Sequence, residues 1–215
     1  MLFSERHEFL FVHIPKTAGT ALRRSLEPYS TINSRAGWSK QLSRLPIRQS
    51  VQDVSFRMHV SARWAKIKLP LAAYDRWCKF TVVRNPFDRA VSHYHWQSQA
   101  PGQRHYKRSQ AMSFKDHLRD MQRRQRWHDE RQVRYICDRD GKLLVDRVLR
   151  FENLPAEFDA LARDLGLDAT LAVHNKSLHR PYADYYDEEA RQMVIALFRD
   201  DFDLLGYSTS IDPTP

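Results

Sequence analysis

The sequence predicts an α/β domain built around a mainly parallel sheet, and three observations predict it. Short apolar runs stand at Phe9–Ile14, Lys79–Val83 and Val148–Phe151, nearly continuous rather than alternating. Such runs fit central parallel strands buried on both faces. Helical spacing follows the first two, over Ala18–Leu26 and Phe87–Trp96, with Pro15 and Pro86 marking the breaks. Strands that alternate with helices are the pattern of an α/β architecture. At 215 residues the chain suits one domain over 1–215.

Each element has its own signal. In the first helix Ala21, Leu22 and Ser25 share a face, and Pro28 stops it. Residues 29–52 are polar and basic and read as loop. Val54–His59 is expected to form another strand. Residues 97–112 are polar, with an expectation of mobility. Ser113 is a fair N-cap for a helix through Met121. Arg134–Cys137, the turn Asp138-Arg139-Asp140-Gly141 and Leu143–Val145 read as a hairpin. Pro155–Leu165 has proline near its start and Gly166 just past its end, the asymmetry of a helix. Asp187 caps a last helix with Val194, Leu197 and Phe198 on its inner face.

Composition narrows the function. No run of 18 apolar residues exists, so no spanning helix is expected, and the start of the chain lacks the pattern of a signal peptide. The default expectation is a cytoplasmic protein. Cys78 and Cys137 are too few for a disulfide framework and read as reduced core thiols. No cluster has zinc-ligand spacing. The net charge of +9 is unevenly spread: residues 23–68 carry +8, residues 104–134 carry +6, and residues 150–215 carry −7. Two basic zones suggest an anionic ligand: nucleic acid, an acidic glycan or a multiply charged nucleotide.

Two motifs carry chemistry. The first is Phe11-Val12-His13-Ile14-Pro15-Lys16-Thr17-Ala18-Gly19-Thr20-Ala21-Leu22, which runs strand, tight loop, helix. Such a loop presents unpaired N–H groups at the positive end of a helix dipole, a ready anion site. Lys16 adds a point charge, Thr17 and Thr20 add hydroxyls, and Gly19 lets the backbone approach a ligand. The Walker pattern is absent, because the lysine precedes the glycine. The second motif is Val82-Val83-Arg84-Asn85-Pro86-Phe87-Asp88-Arg89-Ala90-Val91-Ser92-His93-Tyr94. Arg84 comes directly off a strand end, where ligands of open α/β sheets bind. A guanidinium with the Ser92 hydroxyl makes a sound phosphate clamp.

Together the two motifs closely resemble those of the sulfotransferases that use 3′-phosphoadenosine 5′-phosphosulfate (PAPS). The likeness is to the branch with heparan sulfate 2-O-sulfotransferase and the chondroitin and dermatan sulfotransferases. The resemblance implies a P-loop NTPase-like three-layer α/β domain with a central mainly parallel sheet. It implies PAPS as sulfuryl donor, no metal, and a hydroxyl acceptor on a carbohydrate or glycolipid. It further implies that Lys16 and the main chain of Thr17, Ala18, Gly19, Thr20 and Ala21 hold the 5′-phosphosulfate, and that Arg84 and Ser92 hold the 3′-phosphate. Downstream, Arg150-Phe151-Glu152-Asn153-Leu154 and His174-Asn175-Lys176-Ser177 resemble further family segments, and Lys176 is thereby expected near the nucleotide. Residues 29–50 and 97–127 match no family segment and are where acceptor specificity is expected.

The general base implied is His59, whose Met58-His59-Val60 context is similar to that of the branch's catalytic histidine. Here Arg57 and Met58 stand where the family often has histidine and glycine. Histidine suits the task because its pKa lies near working pH. His13, His93 and His95 are rivals, and His128, near Gln132, is a candidate acceptor contact. Two other functions stay open on the residues alone. A kinase with a divergent phosphate loop would need a Mg²⁺ carboxylate at a strand end, where Arg84-Asn85-Pro86 stands. A non-catalytic polyanion or nucleic-acid binder fits the pI of 9.7 but no recognised motif.

Overall fold

The computed structural model describes residues 1–31, 45–99, 106–123, 131–171 and 180–211. The chain divides into two compact units, Met1–Val83 with Arg134–His174, and Arg84–Val133 with Asn175–Pro215. Its strands are β1 (Leu2–Ser4), β2 (Phe9–Val12), β3 (Cys78–Val83) and β4 (Arg147–Arg150). Its helices, in chain order, are α1 (Gly19–Leu26), α2 (Ala62–Lys68), α3 (Leu71–Arg76), α4 (Pro86–Gln99), α5 (Tyr106–Gln110), α6 (Phe114–Arg123), α7 (Val133–Ile136), α8 (Leu154–Asp164), α9 (Glu188–Leu197) and α10 (Arg199–Leu205). None of the described helices is long and apolar enough to cross a membrane.

The first unit holds the sheet, ordered β1-β2-β3-β4. β2, β3 and β4 run parallel, with Phe11 opposite Phe80 and Thr81 opposite Val148. The mainly parallel α/β sheet is the expected one. Every residue of β2 is buried, as an apolar run between two neighbours should be. Phe9, Phe11, Phe80, Val82 and Leu149 pack against Leu22 and Leu26 of α1 and Phe158 and Leu161 of α8. This clamps α1, and therefore the loop before it, to the strand ends. Lys79 is a buried cation inside β3. It is held by Asp146 at 2.9 Å and by the carbonyls of Tyr74 and Trp77. Cys78 and Cys137 form no disulfide, Cys137 being buried and Cys78 half-buried. Burial pushes the Cys78 thiol up, away from reactivity.

A strand and a hairpin do not form as expected. Residues 54–59 form no strand, because the edge of β2 they would need is occupied by β1, antiparallel with Leu2 opposite Phe11. The segment instead starts as a turn, with Val54 N–H bonded to the Ser50 carbonyl at 3.0 Å. The hairpin at 134–145 shrinks to one bridge, Cys137 to Leu143, around the expected turn. Its first arm is the helix α7, because the buried carboxylate of Asp201 accepts from Gln132 N–H at 2.9 Å and Val133 N–H at 3.0 Å. The segment 97–112 is also more ordered than its polarity suggests: α4 continues to Gln99 and α5 follows, while 100–105 lie outside the described residues.

The second unit is helical. Phe87 and Val91 of α4, Phe114 and Leu118 of α6, Val194 and Leu197 of α9 and Phe202 of α10 make its core. Asp187 caps α9 as expected, accepting from Ala190 N–H. The helix that Asp187 caps is not the last: the chain turns at Phe198 into α10.

Candidate functional site

In the first unit the candidate site is the turn from β2 into α1. Lys16 has φ 68° and Ala18 φ 61°, so two non-glycine residues hold left-handed backbone within three positions. Each such residue costs on the order of 1–3 kcal/mol. Backbone that alternates between right- and left-handed regions turns successive N–H groups into one concavity, an anion nest. Ala18 makes no side-chain cap to α1, so the N–H groups of Gly19 and Thr20 have no side-chain partner from the cap residue. No acidic residue stands in that first turn to compete with an anion.

The predicted residues divide by role here. Thr17 is fully buried, and its hydroxyl donates to the Ile14 carbonyl at 3.0 Å, so it braces the loop from inside. Thr20 is exposed at the start of α1. Ala21 N–H is already bonded to the Ala18 carbonyl at 3.0 Å and belongs to the helix rather than to the nest. Gly19 is glycine for a reason beyond ligand approach: a Cβ there would overlap the His13 imidazole.

His13 and His59 meet at this loop. His59 Nδ1 lies 3.1 Å from the His13 carbonyl oxygen, and the two rings stand edge to face with centroids 4.5 Å apart. A carbonyl only accepts, so Nδ1 carries the proton and the lone pair of neutral His59 sits on Nε2. His13 itself is buried, and burial, followed by the nearby His59, the Met1 amino group and Arg23, pushes its pKa down to about 3. It is therefore neutral at working pH.

In the second unit Arg84, Asp88 and Ser92 follow one another at four-residue intervals, and Asp88 and Ser92 share a face of α4. The Arg84 guanidinium is buried and grips Asp88 through two bonds, Nε to Oδ2 at 2.7 Å and Nη2 to Oδ1 at 2.8 Å. Its main chain is held equally firmly. Fully buried Gln132 accepts from Arg84 N–H and donates to the Arg84 carbonyl, both at 2.8 Å. Gln132 in turn hangs from Asp201, whose pKa burial raises despite Arg89 and the two main-chain donors. The sequence marks Gln132 only as a neighbour of His128 and gives no role to Asp201. Asp201 is one of three aspartates in α10, with Asp200 and Asp203, so no local signal singles it out.

The rival histidines have other partners. His93 is buried, with Nδ1 3.3 Å from His117 Nε2 and Nε2 3.1 Å from the Gln97 amide. His95 bonds the Tyr185 hydroxyl at 2.7 Å and the Gln99 amide at 3.0 Å. The segment Arg150–Leu154 ends β4 and begins α8, its Arg150 N–H bonded to Glu157 at 2.7 Å. Lys176, with the rest of His174–Ser177, and His128 lie outside the described residues.

Residues 1–208 match the model of the Sulfotransferase family. Among solved structures, a mouse sulfotransferase, SULT7A1, complexed with PAP, has the same fold. It aligns with a TM-score of 0.50 at 13% identity, over 96% of this chain and 91% of that one. A sulfotransferase from Alicyclobacillus acidocaldarius aligns with a TM-score of 0.47 at 17% identity, over 92% of this chain and 93% of that one. Against curated proteins the sequence finds no match.

Proposed function

Because this chain belongs to the sulfotransferase family, we propose that it sulfates a carbohydrate hydroxyl, with the Lys16–Thr20 loop as the 5′ donor site and His59 as general base. The enzyme class and PAPS as donor follow from the family. One observation supports the placement of the donor's 5′ end above all: strained backbone at Lys16 and Ala18 immediately before a helix that lacks a side-chain cap. Strain of that kind persists where the surroundings enforce it and function uses it.

PAPS supplies the sulfuryl group and departs as PAP. Each protein group has a task in that exchange. Main-chain N–H groups of the nest hold the 5′-phosphate without any side-chain reorganisation. Lys16 stabilises negative charge that builds on the departing phosphate oxygen as its bond to sulfur breaks. His59 Nε2 takes the acceptor's proton as the acceptor oxygen bonds sulfur. Nδ1–H on the His13 carbonyl keeps that ring in the useful tautomer and supports the imidazolium that results. Arg84 and Ser92 take the 3′-phosphate, with Asp88 orienting the guanidinium through its Nε–Nη2 edge.

A carbohydrate acceptor is favoured by the likeness of both motifs to the carbohydrate branch and by the basic segments 23–68 and 104–134. The experiment is transfer of radiolabelled sulfate from PAPS to a panel of polysaccharides, glycolipids, small alcohols and tyrosine peptides. Labelled glycan, with an acceptor KM that rises with salt more than the donor KM, is the expected result. Label on alcohols or tyrosine alone would replace the carbohydrate reading.

A further inference from the structure

His13 lies inside the phosphate-loop motif, and the mechanism above uses only its main-chain carbonyl, leaving its side chain without a role. Its geometry gives it one. The imidazole is buried at the end of β2, stacked on Phe11 with centroids 5.6 Å apart. It occupies the space directly against the Cα of Gly19, where a Cβ would overlap Nε2 and Cδ2. Its carbonyl accepts the Nδ1 proton of His59, and its ring meets the His59 ring edge to face at 4.5 Å. One residue thus touches the first turn of the donor helix and the base.

We propose that His13 is a positioning residue that sets the donor loop and the general base against each other: its ring supports the backbone at Gly19 while its carbonyl fixes His59 with the lone pair on Nε2. The inference rests on the reading of the loop as donor site and His59 as base. Its physical content is distance. A near-attack geometry tolerates little displacement, so the group that abstracts the proton must be registered to the group that holds the donor. Here the register passes through a single rigid ring rather than through a flexible chain. A charged ring would repel the His59 imidazolium formed during turnover; burial above all, then the neighbouring His59, Met1 amino group and Arg23, keep His13 neutral.

The test is a cycle of four proteins: wild type, Gly19→Ala, His13→Ala and the double variant, each titrated with PAP by calorimetry. Gly19→Ala is expected to weaken PAP by roughly tenfold, because its Cβ displaces the ring or the loop. His13→Ala removes the obstacle, so the double variant should bind at least about threefold more tightly than Gly19→Ala alone. A double variant no tighter than Gly19→Ala overturns the support of the loop. The second half is read by nitrogen NMR of the imidazoles and by single turnover, which needs no Gly19 variant to fold. His59 should be the Nδ1–H tautomer in wild type and in His13→Asn alike, because the main-chain carbonyl survives, while loss of the ring that registers base to loop should slow His13→Asn about tenfold with an unchanged acceptor KM. An Nε2–H tautomer in wild type, or a His13→Asn enzyme at full rate, overturns the positioning role. These failures are distinct from failure of the function itself, which would appear as wild type that does not bind PAP or as a fully active His59→Ala.

Discussion

In the proposed donor site the main chain would carry the anion at the Lys16–Thr20 loop, and side chains would carry it in the Arg84–Ser92 segment. The loop is strained, its cap residue offers no side chain, and its bracing comes from below, through Thr17 and His13. The arginine segment is held by side chains, with Asp88 on the guanidinium and Gln132 on both main-chain groups. The difference teaches where each site is vulnerable. A backbone site fails when its shape changes, so its weak points are the residues that set shape. A side-chain site fails when the side chain or its partner is removed.

The largest expected effect tests the chemistry that the loop serves. His59→Ala should lower the single-turnover rate by roughly 10²–10⁴, the usual worth of a general base, while PAP affinity survives. A His59→Ala enzyme at full rate beside an inactive His93→Ala or His95→Ala would move the base out of the loop's unit and break the comparison.

Lys16→Ala comes next. Loss of one preorganised charge at a leaving group costs about 10²–10³ in rate, and the nest's N–H groups remain to hold PAP. Rate and PAP affinity measured together sharpen the contrast: a loss of affinity as large as the loss of rate would mean that the lysine, not the backbone, holds the phosphate.

Arg84→Ala is expected to weaken PAP by about 1.5–3 kcal/mol, as for a hydrogen bond to a charged group. Adenosine 5′-phosphosulfate, which lacks the 3′-phosphate, should be almost unaffected. Calorimetry of both ligands on both proteins makes a cycle in which damage from the orphaned Asp88 cancels. Equal loss of both ligands would show that Arg84 is an internal brace.

The remaining effect is read in stability rather than in rate or affinity, as a pH dependence. The His13 pKa falls from its ordinary 6.5 to about 3 on folding, so the unfolded chain binds this proton more readily. Its contribution is complete above about pH 6.5 and is lost as pH falls toward 3, with a slope near 1.4 kcal/mol per pH unit at most. Denaturant titrations from pH 7 to 4 should show wild type losing stability faster than His13→Asn. Parallel slopes would mean that His13 titrates normally and is not sealed beneath the loop.

Much of this was legible in the residues, and the part that was not has a common cause. β2, β3, α1 and α4 announce themselves by apolar runs, helical spacing and proline breaks, all local signals. The strand expected at 54–59 failed because a three-residue edge strand, too short to show a pattern, had taken the place beside β2. The first arm of the expected hairpin failed because its main-chain donors answer to Asp201, nearly 70 residues away in sequence. The candidate site divides the same way. Lys16, Gly19, Arg84 and Ser92 stand out by spacing, whereas the Gln132 clamp and the inward turn of Thr17 depend on contacts that no local pattern reports.

The fit of the His13 ring against Gly19 also bears on how such a sequence can drift. A side chain cannot arrive at position 19 while the ring stands at 13, so the two positions do not change independently. The ring must shrink first, at the cost of a looser base. Only then does the glycine become free to vary. Descendants of this chain that keep the ring are therefore expected to keep the glycine, and any that replace the glycine should already have lost the ring, a historical order set by one van der Waals contact.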